Sequence, residues 1–282
     1  MHLMVLVLFS LLMMVVAVAA GAAMGIGTPK GGGPWGPWLV WQALSQVLMF
    51  ALPSLAVVWM YYRNDGWRWL QPDCSGRRWL LALAGVVVML LLIPLTDWLN
   101  TWNDTLHLPG ALKPVEESLR RAGEESQGLL QSMMREVSPW ASLLCVALVP
   151  AVCEELFFRA GIQNLLQRWT GNVHVAVWVT AAVFSLAHFE LFSFLPRFLL
   201  GALLGYLYVG GGSLVVNMTA HFVNNAIVVL AYWLVVSQGL DFDPAAPLSI
   251  GWEVTLACSL AAVFLMVVTF GRTLGYNRFK IS

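Results

Sequence analysis

Cys153-Glu154-Glu155-Leu156-Phe157-Phe158-Arg159 places two carboxylates and a guanidinium inside an otherwise apolar run, residues 140–169, long enough to cross a bilayer. A charged side chain at the centre of a membrane helix costs about 2.5–3.5 kcal/mol on insertion scales. Such groups therefore face a bundle interior or a water-filled cavity, and they are functional candidates by default. Helical geometry separates their tasks. Glu155 and Arg159 are four apart with the acid first, the favoured order for an ion pair on one face. Glu154 points about 100° away from Glu155 and has no partner in its own helix. An unpartnered carboxylate shielded from bulk water is a candidate general base. The plainer reading, that all three groups only hold helices together, stays open on this heptapeptide alone.

The rest of the chain agrees with a membrane setting. Of its 282 residues, 59% are hydrophobic and only 11% are charged, against about 25% charged in soluble proteins. The composition predicts an all-α polytopic membrane protein built as a single membrane domain. Fifteen bases balance fifteen acids, and no basic tract points to nucleic acid. The partners expected are the lipid bilayer and a peptide or protein substrate embedded in it or anchored to it by lipid. Cys74, Cys145, Cys153 and Cys258 show no metal-ligand spacing.

Working outward, residues 3–24 form an apolar run without Lys or Arg at its start. The run exceeds the roughly 7–15 residues of a signal-peptide core, so a retained helix is expected. A breaker-rich loop follows at residues 31–38, then a second span at 39–62 with a kink expected at Pro53. A third runs from 79 to about 95. Residues 97–138 are the one long polar stretch, with seven acids and four bases. Within it, Leu112, Val115, Leu119, Ala122, Leu129, Met133 and Val137 recur at helical spacing, which predicts an amphipathic helix at the membrane surface. After the 140–169 helix and a turn at Thr170-Gly171-Asn172 come runs at 173–189, 195–209, 214–236 and 252–270. About eight spans result. Residues 1–96 form accessory helices, 97–138 the extracytoplasmic segment, 139–237 the core and 251–271 the last helix.

Arg63, Arg68, Arg77 and Arg78 crowd one short connection, which the positive-inside rule makes cytoplasmic. Eight spans then put both termini in the cytoplasm. Nine bases fall on that side and six (Lys30, Lys113, Arg120, Arg121, Arg135 and Arg197) on the other. The layout, with no organellar signal, points to a bacterial inner membrane.

Two further polar sets lie in apolar runs: Phe184-Ser185-Leu186-Ala187-His188 and His221-Phe222-Val223-Asn224-Asn225. Glu154 precedes Gly171 by 17 residues and His188 follows it by 17, which sets both at roughly 25 Å along antiparallel helices. Arg159 and Phe184 match one turn lower. His221 and Asn225, four apart, share a face. A carboxylate, two imidazoles and an amide at one level suit a hydrolytic site.

These motifs, Glu154-Glu155-x-x-x-Arg159, Phe184-x-x-x-His188 and His221-x-x-x-Asn225, resemble those of the CAAX-processing and bacteriocin-processing intramembrane proteases, which include the type II CAAX prenyl endopeptidases. Gly201, Gly205 and Gly212-Ser213-Leu214 are similar to that family's small-residue entry into the last motif helix. The resemblance covers about residues 140–230 and implies a glutamate-activated intramembrane peptidase. It implies Glu154 as the base, with His188 helping to hold the attacking water. His221 and Asn225 would stabilise the oxyanion, with Glu155 and Arg159 as structural support. Metal is left open by the residues: His188 and His221 with Glu154 form a donor set for Zn²⁺, whereas a Glu–His water mechanism needs no ion. The expectation is no obligatory metal. The rival functions are a silent family member acting as scaffold or bacteriocin-immunity factor, and a transporter with a midplane ion site.

Overall fold

The computed structural model describes residues 1–27, 35–61 and 76–274. Lys30, Gly31 to Pro34, Arg63, Arg68, Cys74, Arg278 and Lys280 lie outside the described residues, as do the side chains of Arg77 and Arg272. Helix α1 spans His2–Ala23, and α2 spans Trp35–Tyr61. The part of the expected loop that is described, Trp35 to Trp38, is the first turn of α2. The irregularity expected at Pro53 begins earlier, as a π-helical stretch over Val47–Ala51. Pro53 has no N–H for the Met49 carbonyl one turn before it, and Ser10 Oγ of α1 donates to that carbonyl at 2.6 Å.

Helices α3 (Gly76–Leu91) and α4 (Ile93–Asp104) meet at a 43° bend at the Leu92–Pro94 junction and together are long and apolar enough to cross a membrane. The helical stretch thus runs nine residues past its predicted end at 95. A proline at the start of α4 cannot continue the hydrogen-bond ladder of α3, which accounts for the bend. The polar helix α5, Lys113–Glu136, docks only in part. Met133 and Met134 are buried against Ala147 and Val229, while Leu112 and Val115 stay exposed. The predicted apolar stripe is therefore a packing face in its second half alone. The first half is held by polar contacts: Arg120 donates to Asp104 Oδ1 at 2.6 Å and to Glu116 Oε1 at 3.0 Å, and lies 3.8 Å over the Phe192 ring.

Helix α6, Pro139–Thr170, carries Glu154 between two π-helical stretches, Leu143–Leu148 and Leu156–Gln163. Gly171, at φ +67°, ends it, and the Asn172 side chain caps α7, Val173–Leu186. Fourteen residues rise only about 21 Å, short of a bilayer core of about 30 Å. The fifth predicted span is thus too short to cross by itself. His188 lies in the turn beyond it, next to Phe189, whose φ of +56° is a left-handed conformation costly for an aromatic residue.

After a short 3₁₀ turn at Leu191–Ser193 come α8 (Phe194–Gly211), α9 (Leu214–Gln238) and α10 (Trp252–Leu274). Close packing of α8 on α7 depends on two glycines. A methyl at Gly201 would sit 3.1 Å from the Ala181 Cα, and one at Gly205 would sit 2.9 Å from Val177 Cγ1. The fold is an all-α membrane protein. Among the described residues, six helices are long and apolar enough to cross a membrane, seven with the bent pair, where the sequence predicts eight.

Candidate active site

Neighbouring carboxylates on α6 meet opposite surroundings. Glu155 is fully buried and accepts three donors: Arg159 Nε at 3.0 Å, Asn217 Nδ2 at 3.2 Å and His221 Nδ1 at 3.0 Å. Arg159, also fully buried, reaches Gln163 Oε1 at 3.5 Å, and Gln163 donates to the Gly205 carbonyl at 3.1 Å. Asn217 also donates to the Leu204 carbonyl at 2.6 Å. One carboxylate thereby ties α6 to α9 and, through amide side chains, to α8. The expected i,i+4 pair of Glu155 and Arg159 is present and fully desolvated. Removing one partner of such a pair leaves an uncompensated buried charge, at a cost of about 3–5 kcal/mol.

Glu154 faces the other way, into a cavity of about 450 Å³. Its Oε2 is buried and has no hydrogen-bond partner. The nearest ring nitrogen, His221 Nε2, is 3.9 Å away, too long for a hydrogen bond. His188, His221 and Asn225 line the same cavity. Helix α7 supplies His188 from its trailing turn, and α9 supplies His221 and Asn225 one turn apart.

Both imidazoles are held through Nδ1. His188 Nδ1 lies 2.8 Å from the Phe184 carbonyl, which can only accept, so Nε2 of the neutral ring is left free. His221 Nδ1 is taken by Glu155 as described, which turns its Nε2 towards Glu154. Phe184 sits between the rings, 4.9 Å from His188 and 5.9 Å from His221, edge to face with both. The Arg159 guanidinium lies 5.6 Å from its centroid. The Phe-x-x-x-His spacing thus places one aromatic ring against the cation and both imidazoles, and a histidine on the cavity lining.

Three kinds of residue escaped the sequence reading. Asn217, four residues before His221, and Gln163, four after Arg159, extend the two motifs by one helical turn each, and that spacing was the available signal. Gln42 and Gln46 of α2 line the cavity across from Glu154, and the buried Gln46 Oε1 has no partner. Glu190 also lines it, paired with Arg197 at 2.6 Å. Among the described residues, no three His, Cys, Asp or Glu side chains converge as metal ligands. His221 Nδ1 is committed to Glu155, as His188 Nδ1 is to the Phe184 carbonyl.

An all-helical membrane protein with a buried carboxylate–histidine–amide cluster is the class that this fold and site define. Residues 136–227 match the family described as type II CAAX prenyl endopeptidase Rce1-like. That segment holds all three motifs and the whole Glu155 network. YpbD of Bacillus subtilis (strain 168), described as an uncharacterized protein, is 30% identical over 89 residues. The alignment covers 30% of this chain and 42% of that one, so the chain spans less than half of its relative's length. No solved structure matches.

Proposed function

We propose that this protein is an intramembrane endopeptidase that cleaves membrane-embedded or lipid-anchored peptides with a water activated by Glu154. One observation carries the reading: Glu154, His188, His221 and Asn225 line a single cavity, with an unbonded Glu154 oxygen facing it. Similarity to an endopeptidase family over residues 136–227 supports it. Glu154 takes a proton from water, oriented also by His188 Nε2, and the hydroxide oxygen bonds to the scissile carbonyl carbon. The charge on the carbonyl oxygen is met by the Asn225 amide N–H and by His221 Nε2–H. Donation from Nε2 while Nδ1–H donates to Glu155 requires both ring nitrogens to carry protons. The C–N bond then breaks, and protonated Glu154 returns its proton to the departing amine. No step in this sequence is routed through a metal.

Glu155 then has two tasks. It compensates Arg159, and it orients the ring of His221. The test is a comparison of membrane-fraction peptides from a strain lacking the protein, complemented with wild type or with Glu154→Gln. The reading expects the same uncleaved precursors in the deletion strain and the Glu154→Gln strain. Full processing by the Glu154→Gln protein would leave the scaffold or immunity role in its place.

A further inference from the structure

Between α7 and α8 a short connection, residues 187–193, carries two residues of the cavity lining, His188 and Glu190. The residue between them, Phe189, is the one non-glycine with a positive φ among the described residues. Chains that turn left-handed at a helix end usually place glycine there, because a Cβ makes that conformation costly. The Phe189 side chain is 76% exposed, so its burial does not hold the conformation. A residue in such a conformation persists only where its surroundings over-determine it. On the α7 side these are local bonds alone: the His188 N–H donates to the Ser185 carbonyl at 3.3 Å and the Phe189 N–H to the Leu186 carbonyl at 3.0 Å. Both lie at a helix end, where chains fray.

The stronger restraint comes from a different helix. Asn103, near the end of α4 and only 3% exposed, commits both ends of its amide to the backbone that follows Glu190. Its Nδ2 donates to the Leu191 carbonyl at 3.0 Å, and its Oδ1 accepts from the Leu195 N–H at 3.0 Å. The two bonds bracket the 3₁₀ turn Leu191–Ser193. One amide orientation serves, since a flipped group would set N–H against N–H and oxygen against oxygen. The Leu195 N–H is among the first donors of α8, which have no partner within their own helix. Asn103 therefore ties down the start of α8 from 92 residues away. Two further bonds, Ser185 Oγ to the Phe194 carbonyl at 2.7 Å and Arg197 to Glu190, arise within the α7–α8 hairpin itself. Asn103 lies outside the residues 136–227 that match the family.

We infer that Asn103 is a positioning residue for the hydrolytic site. By bracketing the turn it keeps Phe189 left-handed, and it thereby sets where His188 and Glu190 stand on the cavity wall. Asn103 is not itself part of that lining, so it acts through the turn. The word hydrolytic rests on the peptidase reading; the restraint on the His188 ring does not.

The test uses the full chain, purified in detergent, with isotope-labelled histidine rings followed by NMR. The chain has five histidines, and the His188 signal is the one lost in His188→Ala. Two variants are compared with wild type: Asn103→Ala, which removes both bonds, and Asn103→Asp, which keeps the size and the acceptor but loses the donor. In both, the His188 ring signals should shift or broaden, while those of His221, held by Glu155, stay in place. On a precursor that the wild type cleaves, kcat should fall about 10²-fold with KM nearly kept, as for a misplacement of about 1 Å. In a His188→Ala background the same substitutions should cost no more than about twofold further, which a general loosening of the fold would not show. An unmoved His188 signal, an equal fall in kcat with and without His188, or failure of both variants to fold would overturn the inference. The spectra need no turnover, so they decide whether Asn103 sets the ring even if Glu154→Gln sinks the peptidase reading.

Discussion

Glu154 and Glu155 are adjacent in sequence and sit in two regions built on opposite terms. Around Glu155 a guanidinium, an amide and an imidazole converge on one carboxylate, with helices α6, α8 and α9 joined through it. Around Glu154 one carboxylate oxygen is buried and unbonded at a cavity wall. Leaving a buried polar atom unpaired costs about 1–3 kcal/mol, and more for a charged group. A fold that bears this cost beside a saturated neighbour separates holding from reacting. His221 is the hinge between the two regions, one ring nitrogen on each side.

Breaking the Glu155 region should have the largest effect on the fold. Glu155→Ala and Arg159→Ala should each destabilise the protein by about 3–5 kcal/mol, since each leaves a buried charge uncompensated. The double substitution should be less harmful than the sum of the singles. Unfolding of the purified variants in a denaturing detergent series measures this, and strictly additive losses would speak against the pair. Asn225→Ala sharpens the other side of the comparison. It should lower kcat by about 10²–10³ with KM nearly unchanged and stability intact, as for loss of a single oxyanion donor. A rise in KM at constant kcat would make Asn225 a binding residue instead.

The smallest effect concerns α5, which is not among the helices apolar enough to cross a membrane. Its Glu116 carboxyl accepts from His107, from the Leu108 N–H and from Arg120, and these bonds, His107 foremost, lower it from its ordinary 4.5 to about 2. For an acid held low in the folded state, the stabilisation is present in full above the ordinary value. It is lost as pH falls through the lowered one. Docking of the first half of α5 should therefore weaken between about pH 4.5 and pH 2 and be insensitive to pH above that window. Glu116→Gln should remove the dependence. Proteolytic nicking within α5 as a function of pH checks it.

Much of this was legible before any coordinates. The Glu155–Arg159 pair follows from i,i+4 spacing and the turn at Gly171 from its glycine. What stayed hidden depends on contacts distant in sequence or on helices without polar punctuation. The bond from His221 to Glu155 spans 66 residues, and no spacing within one helix announces it. The π-helical stretches around Glu154 lie in a run apolar on nearly every face, where hydrophobic periodicity gives no phase. Helix α7 stops at Leu186 without a glycine or proline, so the predicted span ran on through His188. The amphipathic period of residues 112–137 located α5 correctly but gave no sign that Arg120 anchors one half and methionines the other.

The central claim is that Glu154 is the base of a hydrolytic site. Its most direct test is turnover of purified wild type and Glu154→Gln on a precursor that accumulates in the deletion strain, with bound metal measured on the same samples. The account predicts a fall of about 10²–10⁴-fold in kcat at an unchanged unfolding midpoint, the worth of general-base catalysis, with wild-type activity independent of metal content. Retention of more than about a tenth of wild-type turnover by Glu154→Gln, or stoichiometric zinc whose removal abolishes activity, would contradict it.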